Sequence, residues 1–158
     1  MAREMSSSRT VSADSSQVFE ALLPMPLELV FVHWHGPLPP VRSTVGPEPW
    51  RTPRQQRRVV LAGPGWMVET LTEVDPPNGF SYHLDQVHGP MRALIASVEG
   101  RWMFESGSFG TKITWTWIAT PRAAARWLMP AFARLWTGYA NKTLGHLEKI
   151  LAAKVSPS

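Results

Sequence analysis

The sequence has no cysteine among its 158 residues and no long apolar run. The lack of cysteine excludes disulfides, thiolate catalysis and cysteine zinc sites, and it is typical of a cytoplasmic protein, which is the location we expect. The longest apolar stretch, around Ala21–Trp34, is interrupted by Pro24, Pro26 and Glu28. It falls short of the roughly 20 apolar residues that span a membrane. We therefore expect no integral membrane contact.

Motifs for phosphate, dinucleotide or metal binding are also missing. Gly63-Pro64-Gly65 lies between two predicted strands and lacks the helix that a phosphate cradle needs. His33 and His35 are a possible metal pair, but no third ligand is evident nearby. The net charge of +4 comes without an aromatic-interleaved basic stripe. We expect no metal, no cofactor and no nucleic-acid partner.

Aromatic residues are the most unusual feature that is present, because eight of the 158 residues are tryptophan. Each indole buries a large apolar surface while its N–H needs an acceptor. The tryptophans are compatible with a filled core and with an aromatic-walled pocket. The length is typical of one domain.

Alternating patterns predict an antiparallel sheet with one wet face. Phe80, Tyr82 and Leu84 share one face of a strand, as do Ile113, Trp115 and Trp117 of another. The predicted strands are Ser7–Ser12, Val41–Val45, Arg54–Ala62, Trp66–Val74, Gly79–Val87 and Ile95–Glu105, with a last strand after the turn at Ser106–Gly110.

Helices are predicted early and late in the chain. Asp14 and Gln17 have the spacing of a capping box at the start of one helix, which Pro24 ends, and Leu27–His33 is a possible short second helix. A long amphipathic helix is predicted from Thr120, as N-cap, to the C-terminus. Since Pro130 lies inside that pattern, we expect a kink or a break near Arg126–Met129.

The order of these elements resembles the START-like or SRPBCC superfamily (Bet v 1-like). Within it, the chain resembles the polyketide cyclase/dehydrase and lipid transport proteins. The similarity rests on SRTVSADSSQVFEALL, TLTEVDPPNGFSYHL, the strand from Gly110 to Trp117 and the last helix. It implies an α+β helix-grip fold, in which a curved antiparallel β-sheet wraps around a long C-terminal helix, with two short helices after the first strand. Residues 1–158 would form a single domain with its core at about residues 7–153. The irregular stretch Met25–Pro53 would cover one mouth of the fold.

The resemblance further implies that a hydrophobic small molecule, lipid- or polyketide-like, binds between the sheet and the last helix. The expected ligand-binding residues lie on the apolar faces of the strands and helix: Tyr82, Leu84, Trp102, Phe104, Ile113, Trp115, Trp117, Phe132 and Tyr139. Each is also compatible with ordinary core packing.

Two candidate catalytic residues keep an enzyme open as an alternative. Glu69 would be a buried base with a raised pKa if its side of Trp66–Val74 faced inward, and a surface residue otherwise. His146 lies on the apolar stripe of the last helix, where a core role competes with an acid–base role. The sequence thus predicts a binder, with a polyketide cyclase/dehydratase-like enzyme as the alternative, existing as a monomer or a homodimer.

Overall fold

A seven-stranded antiparallel sheet forms the body of the protein in the computed structural model, which describes residues 2–155. The predicted domain ends at residues 1 and 158 lie outside the described residues. The strands are β1 (Arg3–Val11), β2 (Val41–Val45), β3 (Gln56–Leu61), β4 (Trp66–Asp75), β5 (Gly79–His88), β6 (Ile95–Gly107) and β7 (Gly110–Pro121). Their order across the curved sheet is β1-β7-β6-β5-β4-β3-β2, so β1 and β2 form its two edges.

Two short helices follow the first strand, as predicted. Helix α1 (Ser15–Leu22) begins with the expected capping box, in which the Asp14 carboxylate accepts from the Gln17 backbone N–H and the Gln17 side chain accepts from the Asp14 backbone N–H. The helix ends just before Pro24, which has no N–H to continue the ladder. Helix α2 is a single turn, Leu27–Val30, and is shorter than the predicted Leu27–His33.

The start of the long helix was predicted wrongly. Thr120 and Pro121 belong to β7, where Pro121 pairs with Ile95 at the strand end. A 3₁₀ helix, Ala123–Leu128, comes next, and helix α3 runs over Met129–Val155. Pro130 therefore occupies the first turn of α3, where its missing N–H costs no hydrogen bond. The expected break near Arg126–Met129 is present, because the 3₁₀ helix ends at Leu128 and α3 begins at Met129.

The sheet and α3 enclose the core, which gives the predicted α+β helix-grip fold. The inner faces of β5, β6 and β7 are the apolar faces that alternation predicted, and Phe80, Trp102 and Trp115 are all buried on them. Trp136 of α3 packs on Trp115 with ring centroids 4.8 Å apart.

The first strand is longer than the predicted Ser7–Ser12, because β1 pairs with β7 from Arg3 onwards.

Candidate ligand-binding cavity

A central cavity lies between the inner face of the sheet and α3. The space between its lining atoms measures about 850 Å³, including the part open to solvent, and about 90 Å³ of it can hold the centre of a water molecule. A void needs only about 10–15 Å³ of such water-centre space to hold one water molecule, so the 90 Å³ is room for several. The interior is thus incompletely filled by its own side chains, as the sequence resemblance implies.

Every layer of the fold contributes to the cavity wall. The strands and the loop after β5 supply Val41, Arg57, Val59, Leu61, Met67, Glu69, Phe80, Tyr82, Leu84, Met91, Trp102, Trp115 and Trp117. The helices and the segment after α2 supply Leu22, Leu23, Leu27, Val30, Phe31, Leu38, Pro39, Phe132, Trp136 and Tyr139. The irregular stretch after α1 is therefore part of the wall itself.

Seven of the nine expected ligand-binding residues line this cavity: Tyr82, Leu84, Trp102, Trp115, Trp117, Phe132 and Tyr139. Phe104 and Ile113 do not. They are buried cross-strand partners nearer the end of the sheet that α1 covers. Phe104 packs edge-on against Phe19 of α1, with ring centroids 6.4 Å apart. Their side chains are filled core at the place where a helix closes the sheet.

Tyr82 carries the most distinctive polar group of the cavity wall. Its hydroxyl oxygen accepts hydrogen bonds from the indole N–H of Trp115 at 2.7 Å and of Trp117 at 3.0 Å. Tyr82 pairs with Gly100 across β5 and β6, and Gly100 pairs with Trp117 across β6 and β7. A Cβ atom on Gly100 would lie 2.0 Å from the Tyr82 ring. The missing side chain at Gly100 therefore lets the phenol cross β6 and reach the indoles.

Burial keeps Tyr82 in its neutral form. Desolvation raises the pKa of Tyr82 above its ordinary value of 10, and the two indole donors oppose that rise. Trp136 packs on the same indoles, with its ring centroid 5.8 Å from that of Trp117. Its own N–H is buried and donates to no acceptor among residues 2–155. Polar hydrogens thus outnumber acceptors in this part of the wall.

Glu69 and Arg57 form a buried ion pair on the neighbouring strands β4 and β3. Arg57 Nε donates to Glu69 Oε1 at 2.6 Å, and the side chains are 8% and 4% exposed. The two residues are direct cross-strand partners. Met67, Glu69 and Leu71 are all buried, so the side of β4 whose direction the sequence leaves open faces inward. Burial raises the pKa of Glu69, and the guanidinium of Arg57 opposes the rise.

A tryptophan ring also packs on the guanidinium of Arg57. Its Cζ atom lies 4.1 Å from the ring centroid of Trp50, which is 2% exposed. A cation over an indole face is attracted by the ring quadrupole. Arg57 is held between a carboxylate and an aromatic ring, and its charge is largely matched within the protein.

Tyr139, the second tyrosine of the cavity, connects α3 to the loop before β2. Its hydroxyl donates to the Pro39 carbonyl oxygen at 2.8 Å, and its ring stacks on Phe31 with centroids 6.1 Å apart. Burial raises the pKa of Tyr139, so it stays a neutral donor. Unlike Tyr82, it has already placed its hydrogen on a protein acceptor.

The histidines lie away from the cavity. His146 Nε2 donates to the Leu29 carbonyl oxygen at 3.1 Å, and its ring lies edge-on to His33 with centroids 5.5 Å apart. His146 is therefore not brought together with Glu69. Within residues 2–155, no group of three or more His, Asp or Glu side chains is arranged to hold a metal ion.

Comparison with known families decides the membership of this chain. The family model described as polyketide cyclase / dehydrase and lipid transport matches residues 2–152. The chain belongs to this family. No curated protein matches it in sequence. Membership in the polyketide cyclase/dehydrase and lipid transport family, together with the fold, supports a ligand-binding function in general.

Solved structures similar to this family member share its fold at low sequence identity. Ara h 8.0201 is 13% identical with a TM-score of 0.72, over 97% of this chain and 99% of that one. TTHA0849 from Thermus thermophilus is 19% identical with a TM-score of 0.71, over 98% and 100%. The major latex-like protein 151 from Panax ginseng is 9% identical with a TM-score of 0.69, over 94% and 97%. At these identities the likeness extends to the fold alone.

Arg57, Phe31 and Trp136 of this family member are among the wall residues that the sequence-based prediction does not include. Trp136 shares the apolar stripe of α3 with Phe132, so the helical period could have included it. Arg57 alternates with Val59 and Leu61 on β3, which was a usable signal for an inward-facing arginine. Phe31 follows a one-turn helix and has no periodic pattern to identify it.

Among the described residues, no helix is both long enough and apolar enough to cross a membrane.

Proposed function

We propose that the protein binds one hydrophobic small molecule, lipid- or polyketide-like in its apolar character, in the central cavity. The observation that supports this most is the composition of the wall, which is built chiefly from aliphatic and aromatic side chains. Burying apolar ligand surface in such a cavity is favourable by about 25 cal/mol per Å². The two buried charges have opposite signs and neutralise each other, since Glu69 is paired with Arg57. The wall thus holds an apolar molecule without exposing it to an unmatched charge.

Binding is tested with a neutral hydrophobic fluorescent probe, N-phenyl-1-naphthylamine. Trp115→Ala and Trp117→Ala remove large parts of the wall, so each is expected to weaken probe binding. Trp127→Ala is the matched control, because Trp127 is 77% exposed and lies outside the cavity. Unchanged probe affinity in folded Trp115 and Trp117 variants would count against these residues as binding surface.

The natural ligand is sought by native mass spectrometry of freshly purified protein, followed by solvent extraction. We expect an extractable compound with a largely apolar skeleton. A strongly hydrophilic ligand, such as a nucleotide, would contradict the proposal.

A second candidate function, acid–base catalysis of the cyclase/dehydratase type, is favoured by the position of Glu69. This carboxylate lines the cavity, and burial raises its pKa, which makes its ionised form a stronger base. Nitrobenzisoxazole, whose ring opens when a base removes its carbon-bound proton, reports such a carboxylate. Acceleration that disappears in Glu69→Gln would favour the enzyme, whereas no acceleration in the wild type favours the binder.

We also propose that residues 1–158 form one domain with its core at about residues 7–153. The buried residues from Met5 to Leu151 form a single cluster, which supports this. Limited proteolysis that released a stable internal fragment would contradict it.

The cytoplasmic location and the monomer-or-homodimer state stay predictions. Light scattering after size-exclusion chromatography would measure the oligomeric state.

A further inference from the structure

Tyr82 lies among more hydrogen-bond donors than acceptors. A phenol offers one donor hydrogen and an oxygen that accepts. The Tyr82 oxygen is occupied by the Trp115 and Trp117 N–H groups at 2.7 Å and 3.0 Å. In the part of the chain that the structure describes, the hydroxyl itself donates to no acceptor. Tyr82 is 4% exposed and lines the cavity, so its hydroxyl hydrogen is a buried donor without an acceptor among the described residues.

Buried donors without acceptors are costly, and they are normally satisfied by protein, water or ligand. The two indoles cannot supply an acceptor, because an indole N–H only donates. The neighbouring Trp136 N–H is a second buried donor with no acceptor among the described residues. This side of the wall therefore needs an atom that accepts hydrogen bonds.

We infer that Tyr82 is a specificity-determining donor that selects a neutral, largely apolar ligand bearing a carbonyl oxygen. The inference rests on the proposed binding function and names the polar group of the ligand. A carbonyl brings an acceptor with no hydrogen of its own, which is the complement of a donor-rich wall. It also leaves the rest of the ligand free to pack on the aromatic side chains.

Water and anions fit the same place less well. A water molecule that accepted from Tyr82 would need acceptors for its own two hydrogens, but the wall around Tyr82 is aromatic and the Glu69 carboxylate is already paired with Arg57. An anion would meet the negative charge of Glu69, which acts on the Tyr82 hydroxyl and raises the pKa of that phenol further. The cation of the wall, Arg57, is already paired with Glu69. A neutral acceptor avoids both difficulties.

Two flat tricyclic probes separate the carbonyl from the apolar skeleton. Fluorenone carries a ketone where fluorene carries a methylene group, and the two are otherwise alike. The wild type is expected to bind fluorenone more tightly than fluorene. Tyr82→Phe removes only the hydroxyl, so it should lower fluorenone affinity by roughly five- to tenfold and leave fluorene affinity nearly unchanged.

Tyr139→Phe is the matched control, because that hydroxyl already donates to the Pro39 carbonyl. Any effect of this change should be equal for both probes, so the affinity ratio stays as in the wild type. If Tyr82→Phe instead weakens both probes equally, or neither, the inference is overturned while the proposed function stands. If neither probe binds to the wild type, the proposed function fails and the inference falls with it.

Infrared spectroscopy of wild-type protein with bound fluorenone keeps the test independent of any variant. A hydrogen bond weakens the C=O bond, so the carbonyl stretch is expected at lower wavenumber than in an apolar solvent. A stretch at the apolar-solvent position would overturn the inference.

Discussion

Gly100 faces the ring of Tyr82 across two paired strands, and no side chain could stand between them. A Cβ atom at Gly100 would lie 2.0 Å from Tyr82 Cζ and 2.5 Å from its hydroxyl oxygen. The phenol, in turn, is the acceptor for the Trp115 and Trp117 N–H groups. The absence of one methyl group thus fixes the position of the polar group in the cavity wall.

Gly100→Ala is therefore expected to displace Tyr82 and destabilise the fold. Overpacking of a close-packed interior costs about 1–3 kcal/mol, and two indole donors lose their acceptor. The free energy of unfolding, measured in urea, should fall by about that amount. Gly107→Ala is the control on the same strand, because its Cβ would meet no heavy atom within 4 Å. Equal stabilities of the two variants would show that the ring moves aside at no cost.

The Arg57–Glu69 pair should couple strongly because it is buried. Removing one partner of a buried pair costs about 3–5 kcal/mol, whereas replacing both with apolar residues costs far less. We expect Arg57→Met and Glu69→Leu each to be strongly destabilising in urea, and the double variant to recover much of the loss.

The exposed pair Arg9–Glu148 is the control for this cycle. Its N···O distance of 2.7 Å is nearly the same, but its side chains are 47% and 38% exposed. Exposed pairs contribute about 0–1 kcal/mol. A coupling energy at Arg57–Glu69 no larger than this would mean that water reaches the buried pair.

Glu69 should make stability depend on pH with a definite sign. Burial raises the pKa of Glu69 above its ordinary value of 4.5, so the folded state holds the proton more tightly than the unfolded chain. This contribution is fully present below pH 4.5 and is lost as the pH rises through the folded-state pKa. The unfolding free energy of the wild type relative to Glu69→Gln should therefore fall as the pH rises. A relative stability that rises with pH would show that the attraction of Arg57 outweighs desolvation.

His146→Ala is expected to leave binding of the fluorescent probe unchanged. Its imidazole donates to the Leu29 carbonyl and does not line the cavity. A small loss of stability is expected, about 1 kcal/mol for one hydrogen bond. Loss of probe binding in the folded variant would mean that His146 reaches the cavity in solution.

Sequence periodicity predicted the inner faces of β5, β6 and β7, because alternation of period two fixes which residues share a face. It could not orient β4, where Glu69 and Glu73 share the side of Met67 and Leu71. The answer depends on Arg57, which lies twelve positions earlier and meets Glu69 only through the β3–β4 register. A local sequence pattern cannot predict this pairing, because the two residues meet only after β3 and β4 have formed a sheet.

The hydrogen bonds of the cavity wall could not be predicted from the sequence either. Tyr82 was a predicted wall residue, but its bonds to Trp115 and Trp117 depend on a glycine in the strand between them. A glycine inside a regular strand does signal the close approach of another group. The start of α3 was predicted wrongly because Thr120-Pro121 imitates a helix start while belonging to the end of β7.

The claim that the central cavity holds a hydrophobic molecule is tested most directly by filling it. Leu84 lines the cavity from the central strand β5, so Leu84→Trp should occupy the space, whereas Val45→Trp adds the same ring at a position that is 63% exposed. Equilibrium dialysis with fluorene is expected to show one molecule bound per chain in the wild type and in Val45→Trp, and binding at least about tenfold weaker in Leu84→Trp. Undiminished fluorene binding by folded Leu84→Trp would contradict the account.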